Sequence, residues 1–238
     1  MTLAGRIVLV TGASRGLGRA VAVACAREGA QLVLVARTRG GLEEADDAVQ
    51  AAGAPPATLV TLDLKNGELV DRLGAALFER YGRLDGLVHA AAELGTLTPV
   101  AHLEPKELAG LVALNLLAAH RLIRSLDPLL RDSADDRAVF VTDAPARERR
   151  AYWGGYAATK AGLEALAQVY AAETRITAVR VNLVDPGPLA TRLRAKAFPG
   201  EDPAKLPQPE DRAPAVVDLL RPECTRHGEL VRLAEPAA

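Results

Sequence analysis

The stretch TGASRGLG, residues 11–18, decides the fold of this 238-residue chain. A short apolar run at residues 7–10 precedes it, and helix-forming residues follow it at 20–27. The order is therefore strand, glycine-rich turn, helix. Such a turn brings backbone N–H groups and a helix N-terminus together, which is the arrangement that binds phosphate. Since the Gly-Lys-Ser/Thr ending of a kinase-type loop is missing, the stretch predicts a dinucleotide pyrophosphate site, and an ordinary glycine turn is the alternative.

The alternation of strand and helix continues outward from this stretch. We predict strands at residues 31–36, 57–62, 84–89, 138–142, 178–184 and 229–233, and helices at 42–52, 67–81, 107–130, 155–174 and 215–220. The strand candidates are continuous apolar runs, as in strands that helices cover on both faces. The pattern predicts an α/β fold, a Rossmann-type doubly wound parallel sheet, in a single domain over residues 1–238. We expect residues 188–213, rich in proline and charge, to be a substrate-binding loop; a solvated connection is the alternative.

Composition and charge exclude several classes of partner. The 29 basic and 30 acidic residues give a net charge of -1, which creates no field that would attract nucleic acid or an anionic membrane. Glycine interrupts the N-terminal stretch too early for a secretory segment, and no apolar stretch elsewhere is expected to span a membrane, so we predict a cytoplasmic protein. Cys25 and Cys224 are too few for a disulfide framework, and His102, His120 and His227 show no ligand spacing, so no metal is predicted.

The residue type after the second strand distinguishes between two dinucleotides. A carboxylate there would bind the adenosine ribose of NAD, but this sequence has ART at residues 36–38. Arg15 and Arg37 together match the geometry of a ribose 2′-phosphate, and Arg39 is a further candidate. We therefore predict NADP(H) as the cofactor. Asp63, after the third strand, is expected either to accept a hydrogen bond from the adenine amino group or to cap the next helix.

Three motifs in this order and spacing resemble the short-chain dehydrogenase/reductase family across nearly the full chain. They are the glycine stretch at 11–18, YAATK at 156–160 and the dipeptide at 186–187. More narrowly, WGGY at 153–156 and RAKAFPGEDP at 194–203 resemble the YciK-type oxidoreductases within that family. The resemblance implies an oxidoreductase that interconverts a small-molecule carbonyl and an alcohol by hydride transfer.

The resemblance also implies the catalytic residues. Tyr156 would be the general acid/base; Lys160, on the same helix face, would lower the phenol pKa and bind the nicotinamide ribose. Asn115 matches the family's helix asparagine, which holds a water that connects the lysine to solvent; read without the family, it is a satisfied structural amide. The residues predicted to contact the cofactor are Gly12, Ser14, Arg15, Gly16, Leu17, Gly18, Arg37, Asp63, Leu64, Ala91, Tyr156, Lys160, Pro186 and Gly187.

The sequence departs from the family pattern at the position of the catalytic serine, 13 residues before the tyrosine. Asp143 stands there. An ionised Asp143 would oppose an alkoxide about 4 Å away by roughly 1 to 4 kcal/mol, whereas a protonated one could donate a hydrogen bond. Thr142 is a poor substitute, since strand alternation turns its side chain away unless the strand has ended. The alternative function is therefore a catalytically impaired NADP(H)-binding sensor or assembly module.

A second departure is HAAA at residues 89–92, where the family has Asn-Ala-Gly after the position of His89. Ala90 removes an amide that ties neighbouring strands together, and Ala92 places a methyl where a glycine lies beside the cofactor. Stability and cofactor fit therefore depend on the local backbone. We expect His89, at a strand end, to make a structural hydrogen bond rather than to act in catalysis.

The family resemblance further implies a homodimer or homotetramer. The two long helices predicted at 107–130 and 155–174 carry more apolar surface than a thin outer layer needs, which favours helix-on-helix contact between subunits.

Overall fold

Parallel strands form one sheet in the computed structural model, which describes residues 2–132 and 135–233. Within those residues the strands are β1 (Ile7–Thr11), β2 (Gln31–Ala36), β3 (Thr58–Thr61), β4 (Gly86–His89), β5 (Arg137–Val141), β6 (Arg180–Asp185) and β7 (Leu230–Arg232). Their order across the sheet is β3-β2-β1-β4-β5-β6-β7, and every neighbouring pair is parallel. The doubly wound parallel sheet expected from the sequence is confirmed; residues 1, 133–134 and 234–238 of the predicted domain lie outside the described residues.

Helices connect the strands and cover both faces of the sheet. They are α1 (Gly16–Arg27), α2 (Arg39–Ala51), α3 (Gly67–Tyr81), α4 (Pro105–Val112), α5 (Ala118–Arg131), α6 (Pro145–Glu148), α7 (Gly154–Glu173), α8 (Arg192–Ala197) and α9 (Pro209–Asp218), with 3-10 turns at Val100–His102 and Pro203–Lys205. Alternate residues of β1 enter different cores: Leu9 packs with α3, α5 and α7, whereas Val8 and Val10 pack with α1, α2 and α9. This two-sided burial explains the continuous apolar runs.

The sheet changes winding direction between β1 and β4. These strands are adjacent, with Thr11 opposite His89, but the chain leaves β1 toward β2 and leaves β4 toward β5. In a doubly wound sheet the connections then diverge and open a crevice beyond the carboxyl ends of the strands. The glycine stretch at residues 11–18 lies at this point, so the fold itself positions the site.

A π-helical turn at Ala113–Leu117 joins α4 to α5, which makes one continuous helix from Pro105 to Arg131. With a mean hydropathy of 1.2 over its most apolar window, this helix is long and apolar enough to span a membrane. We expected no apolar stretch of spanning length, and by length and composition alone that expectation is wrong. The helix packs on the sheet, however, through Leu122, Leu126 and Leu130, and 33% of that apolar window is buried.

The segment at residues 188–213 has more regular structure than a loop. It contains α8, a 3-10 turn and the start of α9, which begins at Pro209 instead of the predicted residue 215. Thr191 caps α8, and Gln208 with Asp211 forms a capping box for α9. Sequence composition concealed the start of α9 because proline, which breaks a helix interior, is favoured at a helix's first position.

Candidate active site

The glycine stretch forms a tight turn that leads into α1. Gly12 and Gly16 have φ values of +67° and +56°, which side chains rarely adopt. A Cβ on Gly18 would lie 2.4 Å from the carbonyl oxygen of Gly12, so a larger residue would clash with the turn itself. No side chain caps the N-terminus of α1 in the part of the chain that the structure describes. Its first N–H groups therefore face the crevice as an anion site.

A single cleft of about 1260 Å³ extends from this turn in both directions. It is large enough for a dinucleotide and reaches Arg37 at one end and Lys160 at the other. Of the predicted cofactor residues, the cleft is lined by Gly12, Ser14, Arg15, Gly16, Leu17, Gly18, Arg37, Leu64, Ala91, Tyr156, Lys160, Pro186 and Gly187. Asp143 also lines it, whereas Asp63 and Asn115 do not.

Asp63 does not cap α3, and its contact with the adenine amino group stays a prediction. Its Oδ1 accepts a hydrogen bond from the N–H of Lys65 at 3.0 Å, within its own turn. The cap of α3 is instead Asn66, whose Oδ1 accepts from the N–H of Leu69 at 3.3 Å. The capping role predicted for Asp63 is therefore wrong, because Asn66 lies directly before the helix and Asp63 three residues earlier. Arg39 also lies away from the cleft and pairs with Glu43 on α2.

Two charged side chains at the Arg37 end of the cleft, Glu93 and Lys65, were not predicted from the sequence. Glu93, after β4, contacts Arg37 Nη1 with Oε1 at 2.8 Å and Lys65 Nζ with Oε2 at 2.7 Å. All three line the cleft. The three residues follow β2, β3 and β4, which are distant in sequence, so no local spacing pattern could have identified them.

At the opposite end, Tyr156 and Lys160 project from α7 toward the end of β5. The Tyr156 hydroxyl donates to Asp143 Oδ2 at 3.0 Å, and the Lys160 ammonium donates to the carbonyl oxygen of Val141 at 2.9 Å. Lys160 Nζ lies 5.9 Å from the centre of the Tyr156 ring. Tyr156 and Lys160 are both buried. The structure therefore brings together three of the four catalytic candidates, Tyr156, Lys160 and Asp143.

Burial shifts the proton affinities of all three groups. Burial raises the pKa of Tyr156 well above 10, and the charge and hydrogen bond of Asp143 raise it further. Burial raises the pKa of Asp143, against the opposing effect of the Lys160 charge. Burial lowers the pKa of Lys160 to about 8. The expectation that Lys160 lowers the phenol pKa is therefore corrected for this arrangement: burial and Asp143 dominate at Tyr156.

Thr142 follows the end of β5 and is buried, yet its hydroxyl has another partner. Thr142 Oγ1 donates to Glu164 Oε1 at 2.6 Å, on α7. Arg147 of α6 pairs with the same Glu164 oxygen and with Asp185 at the end of β6. This network joins α6, α7 and β6 beneath Asp143. Thr142 is consequently committed to a structural contact and does not replace the missing serine hydroxyl.

The end of β4 is tied to β1 in spite of the alanine at residue 90. Thr11 Oγ1 accepts from the N–H groups of Ala90 at 3.2 Å and Ala91 at 3.4 Å, and it is hydrogen-bonded to His89 Nδ1 at 2.9 Å. Burial lowers the pKa of His89 to about 3, which keeps the ring neutral. His89 thus makes a structural hydrogen bond, as expected. Ala92 is not among the residues with positive φ, so its methyl causes no backbone strain.

Asn115 lies in the π-helical turn and is completely buried. Its Oδ1 accepts from the N–H of Glu93 at 2.9 Å, and its Nδ2 donates to the Glu93 carbonyl oxygen at 2.9 Å and to Thr159 Oγ1 at 3.1 Å. These contacts match the alternative interpretation of a satisfied structural amide. The water-holding role implied by the family resemblance stays a prediction.

A second cavity of about 380 Å³ adjoins Asp143. Trp153 and Phe198 line it, with ring centres 5.7 Å apart, and the Arg194 guanidinium lies 3.8 Å from the Phe198 ring centre. The segment before α7 is strained, since Tyr152 has a φ of +72°. Such strain accumulates at functional sites.

Comparison with known proteins gives one consistent result. The short chain dehydrogenase family model matches residues 6–202. The uncharacterized oxidoreductase YciK of Escherichia coli (strain K12) is 36% identical over 234 residues, covering 97% of this chain and 92% of YciK. A short chain dehydrogenase structure from Pseudomonas syringae has a TM-score of 0.95 and 38% identity, with 98% of this chain and 96% of that chain covered.

A further solved structure carries a ligand. A short chain dehydrogenase from Escherichia coli CFT073, complexed with NADPH, has a TM-score of 0.94 and 34% identity, with 98% of both chains covered. The matched region contains the glycine turn, Asp143 and the Tyr156–Lys160 pair within one cleft. This chain therefore belongs to the short chain dehydrogenase family.

Proposed function

We propose that this protein is an NADP(H)-dependent oxidoreductase that interconverts a small-molecule carbonyl and an alcohol. The observation that carries the proposal is the continuity of one cleft, which joins the glycine turn and Arg37 to Tyr156 and Lys160. A phosphate site alone would suit many nucleotide-binding proteins. A proton donor at the far end of the same cleft suits a reaction at a bound dinucleotide.

The residues at the Arg37 end favour NADP(H) over NAD(H). Arg15 is exposed at the start of α1, Arg37 follows β2, and both line the cleft with no carboxylate at the end of β2 itself. Planar guanidinium groups bind phosphate oxygens in pairs, so the two side chains suit a ribose 2′-phosphate. The NADPH complex of the similar Escherichia coli CFT073 protein supports this assignment.

When bound, the nicotinamide would exchange a hydride with the substrate carbon. Tyr156 would then give its phenolic proton to the substrate oxygen during reduction and take it back during oxidation. A phenolate at Tyr156 would face Asp143 at 3.0 Å, so reduction is favoured when Asp143 is protonated. Protonated Asp143 passes its proton to the Tyr156 oxygen as the phenol proton leaves, which restores the phenol and yields the Asp143 carboxylate. The raised pKa of Asp143 supports this route.

The second cavity is the candidate substrate pocket. Trp153 and Phe198 provide an apolar wall next to Asp143, and residues 188–213 contribute Pro188, Leu193 and Arg194. We therefore propose that residues 188–213 bind the substrate, with α8 forming part of the wall of this pocket. The aromatic lining favours a substrate with an apolar or aromatic group beside its reacting carbon. The cytoplasmic location stays a prediction.

Calorimetric titration with NADPH and NADH tests the proposal. The wild type is expected to bind NADPH more tightly, and Arg37→Ala to lose about tenfold or more of NADPH affinity with little change for NADH. Arg39→Ala is the matched control, because it removes the same charge from an exposed side chain outside the cleft. Absence of binding of either nucleotide would refute the proposal; binding without turnover on any carbonyl would favour the impaired sensor.

A further inference from the structure

Glu93 occupies an unexpected position for a carboxylate in a cleft proposed to bind a phosphorylated ribose. It bridges Arg37 and Lys65, with one carboxylate oxygen on each cation at 2.8 and 2.7 Å. Each of the three side chains is only partly exposed, with 30% of the Glu93 side chain accessible. Arg15, the second arginine predicted to bind the 2′-phosphate, makes no ion pair within the residues that the structure describes. Two cations at this end of the cleft, Arg37 and Lys65, are therefore already paired with one carboxylate.

The buried Asn115 side chain holds the backbone of Glu93 in place. Its backbone N–H and carbonyl groups both bond to the Asn115 side chain, which is buried in the π-helical turn and also bonded to Thr159. These bonds hold the backbone of residue 93 beside the cleft, and its side chain reaches both cations from there. The contact between Glu93 and the two cations therefore starts from a backbone position that the buried Asn115 side chain holds.

We propose that Glu93 determines nucleotide preference by competing with the ribose 2′-phosphate for Arg37 and Lys65, an inference that rests on the proposed function. A 2′-phosphate that binds Arg37 or Lys65 either displaces the Glu93 carboxylate from that cation or lies beside its negative charge. A nucleotide with a 2′-hydroxyl meets neither cost. Glu93 therefore weakens NADPH binding specifically and narrows the preference for NADPH over NADH.

Glu93→Gln tests this inference, because glutamine keeps the size of the side chain and removes its charge. Two partly exposed ion pairs are each worth a few-fold in affinity, so we expect NADPH to bind about tenfold more tightly and NADH to bind as before. The difference in NADPH affinity between the variant and the wild type should shrink at high salt, since screening weakens both ion pairs. Glu43→Gln is the matched control: it removes a carboxylate from α2, where Glu43 pairs with Arg39 outside the cleft, and should leave both affinities unchanged.

The possible outcomes separate the inference from the proposed function. Unchanged or weaker NADPH binding in Glu93→Gln, with wild-type NADPH binding intact, overturns the inference alone and would make Glu93 a support for Arg37. Weaker NADH binding in the variant also overturns it, because Glu93 would then accept from the ribose hydroxyl. Binding of neither nucleotide by the wild type refutes the proposed function and the inference together. A thermal unfolding curve that matches the wild type establishes that the variant is folded.

Discussion

The phenol of Tyr156 donates its hydrogen bond to Asp143 Oδ2 over 3.0 Å, at the position where the family pattern has a serine hydroxyl. A serine at this position would donate a hydrogen bond toward the substrate, whereas the Asp143 carboxylate accepts one from the tyrosine. Burial raises the pKa of both groups, so each group keeps its proton up to a higher pH than it would in water. The chemistry of the site depends on where that proton lies.

Tyr156→Phe is expected to abolish turnover, since it removes the phenolic proton and leaves the ring that packs on Trp153. NADPH affinity should change by less than about threefold. Tyr170→Phe is the matched control, because Tyr170 lies on the same helix and bonds to Asp127 away from the cleft. Steady-state rates with a panel of carbonyl substrates and a parallel nucleotide titration provide the measurement. Retained turnover in Tyr156→Phe would disprove the assignment.

Asp143→Ser should accelerate carbonyl reduction at neutral pH by about tenfold or more, because it removes a carboxylate charge and restores a hydroxyl donor. In the wild type, the reduction rate should rise as the pH falls, since the raised pKa of Asp143 makes protonation of this carboxyl accessible at a higher pH than usual. The serine variant should lose that rise. Rates measured between pH 5 and 8 for both proteins test this, and identical pH profiles would show that Asp143 takes no part in proton transfer.

His89 should make the protein sensitive to acid. Its folded pKa of about 3 lies below the value of about 6.5 for an unfolded histidine, so the unfolded chain binds more protons between these values. The stability is fully present above the unfolded pKa and is lost as the pH falls toward the folded pKa. Relative to His89→Asn, the wild type should lose about 2 kcal/mol between pH 7 and pH 5. Urea unfolding at both pH values measures the difference, and parallel losses would contradict a buried neutral ring.

Gly74→Ala should destabilise the packing of α3 against α5. A Cβ on Gly74 would lie 1.9 Å from the carbonyl oxygen of Ser125, so the two helices must separate. We expect a loss of about 1–3 kcal/mol in the free energy of unfolding, measured by urea denaturation. Gly40→Ala in α2 is the control, since its Cβ meets nothing within 4 Å and alanine favours a helix. Equal stability of the two variants would contradict the close helix contact.

The homodimer or homotetramer is expected to form through the long helices. Leu117 in the π-helical turn is 47% exposed and Val169 on the neighbouring α7 is 55% exposed, which leaves apolar side chains on the outer surface of adjacent helices. Val169→Glu should therefore shift the protein toward monomer. Ile176→Glu serves as the control, since Ile176 is 96% exposed beyond the end of α7. Size exclusion with light scattering gives the mass, and a monomeric wild type would refute the prediction.

The elements that pack on the sheet were predictable because burial imposes a pattern on neighbouring residues. The helix at residues 67–81 and the strand at 31–36 agree with α3 and β2 at both ends. Boundaries failed where proline begins a helix, as at Pro209, since composition there indicates a loop. The glycine turn was identifiable for a similar reason: its φ values and close contacts restrict the residue type at each position.

The sequence by itself determined the fold, the glycine turn and the Tyr156–Lys160 pair, because each depends on residues that are close together in the chain. Only the tertiary structure decided which charges meet across the cleft. Asp143 and Tyr156 belong to different segments of the chain. Glu93, Arg37 and Lys65 each follow a different strand, and their charged groups meet across the cleft. Local spacing constrains backbone geometry over one turn or one strand, whereas the partners and pKa values of buried charges depend on contacts that form only when distant segments fold together.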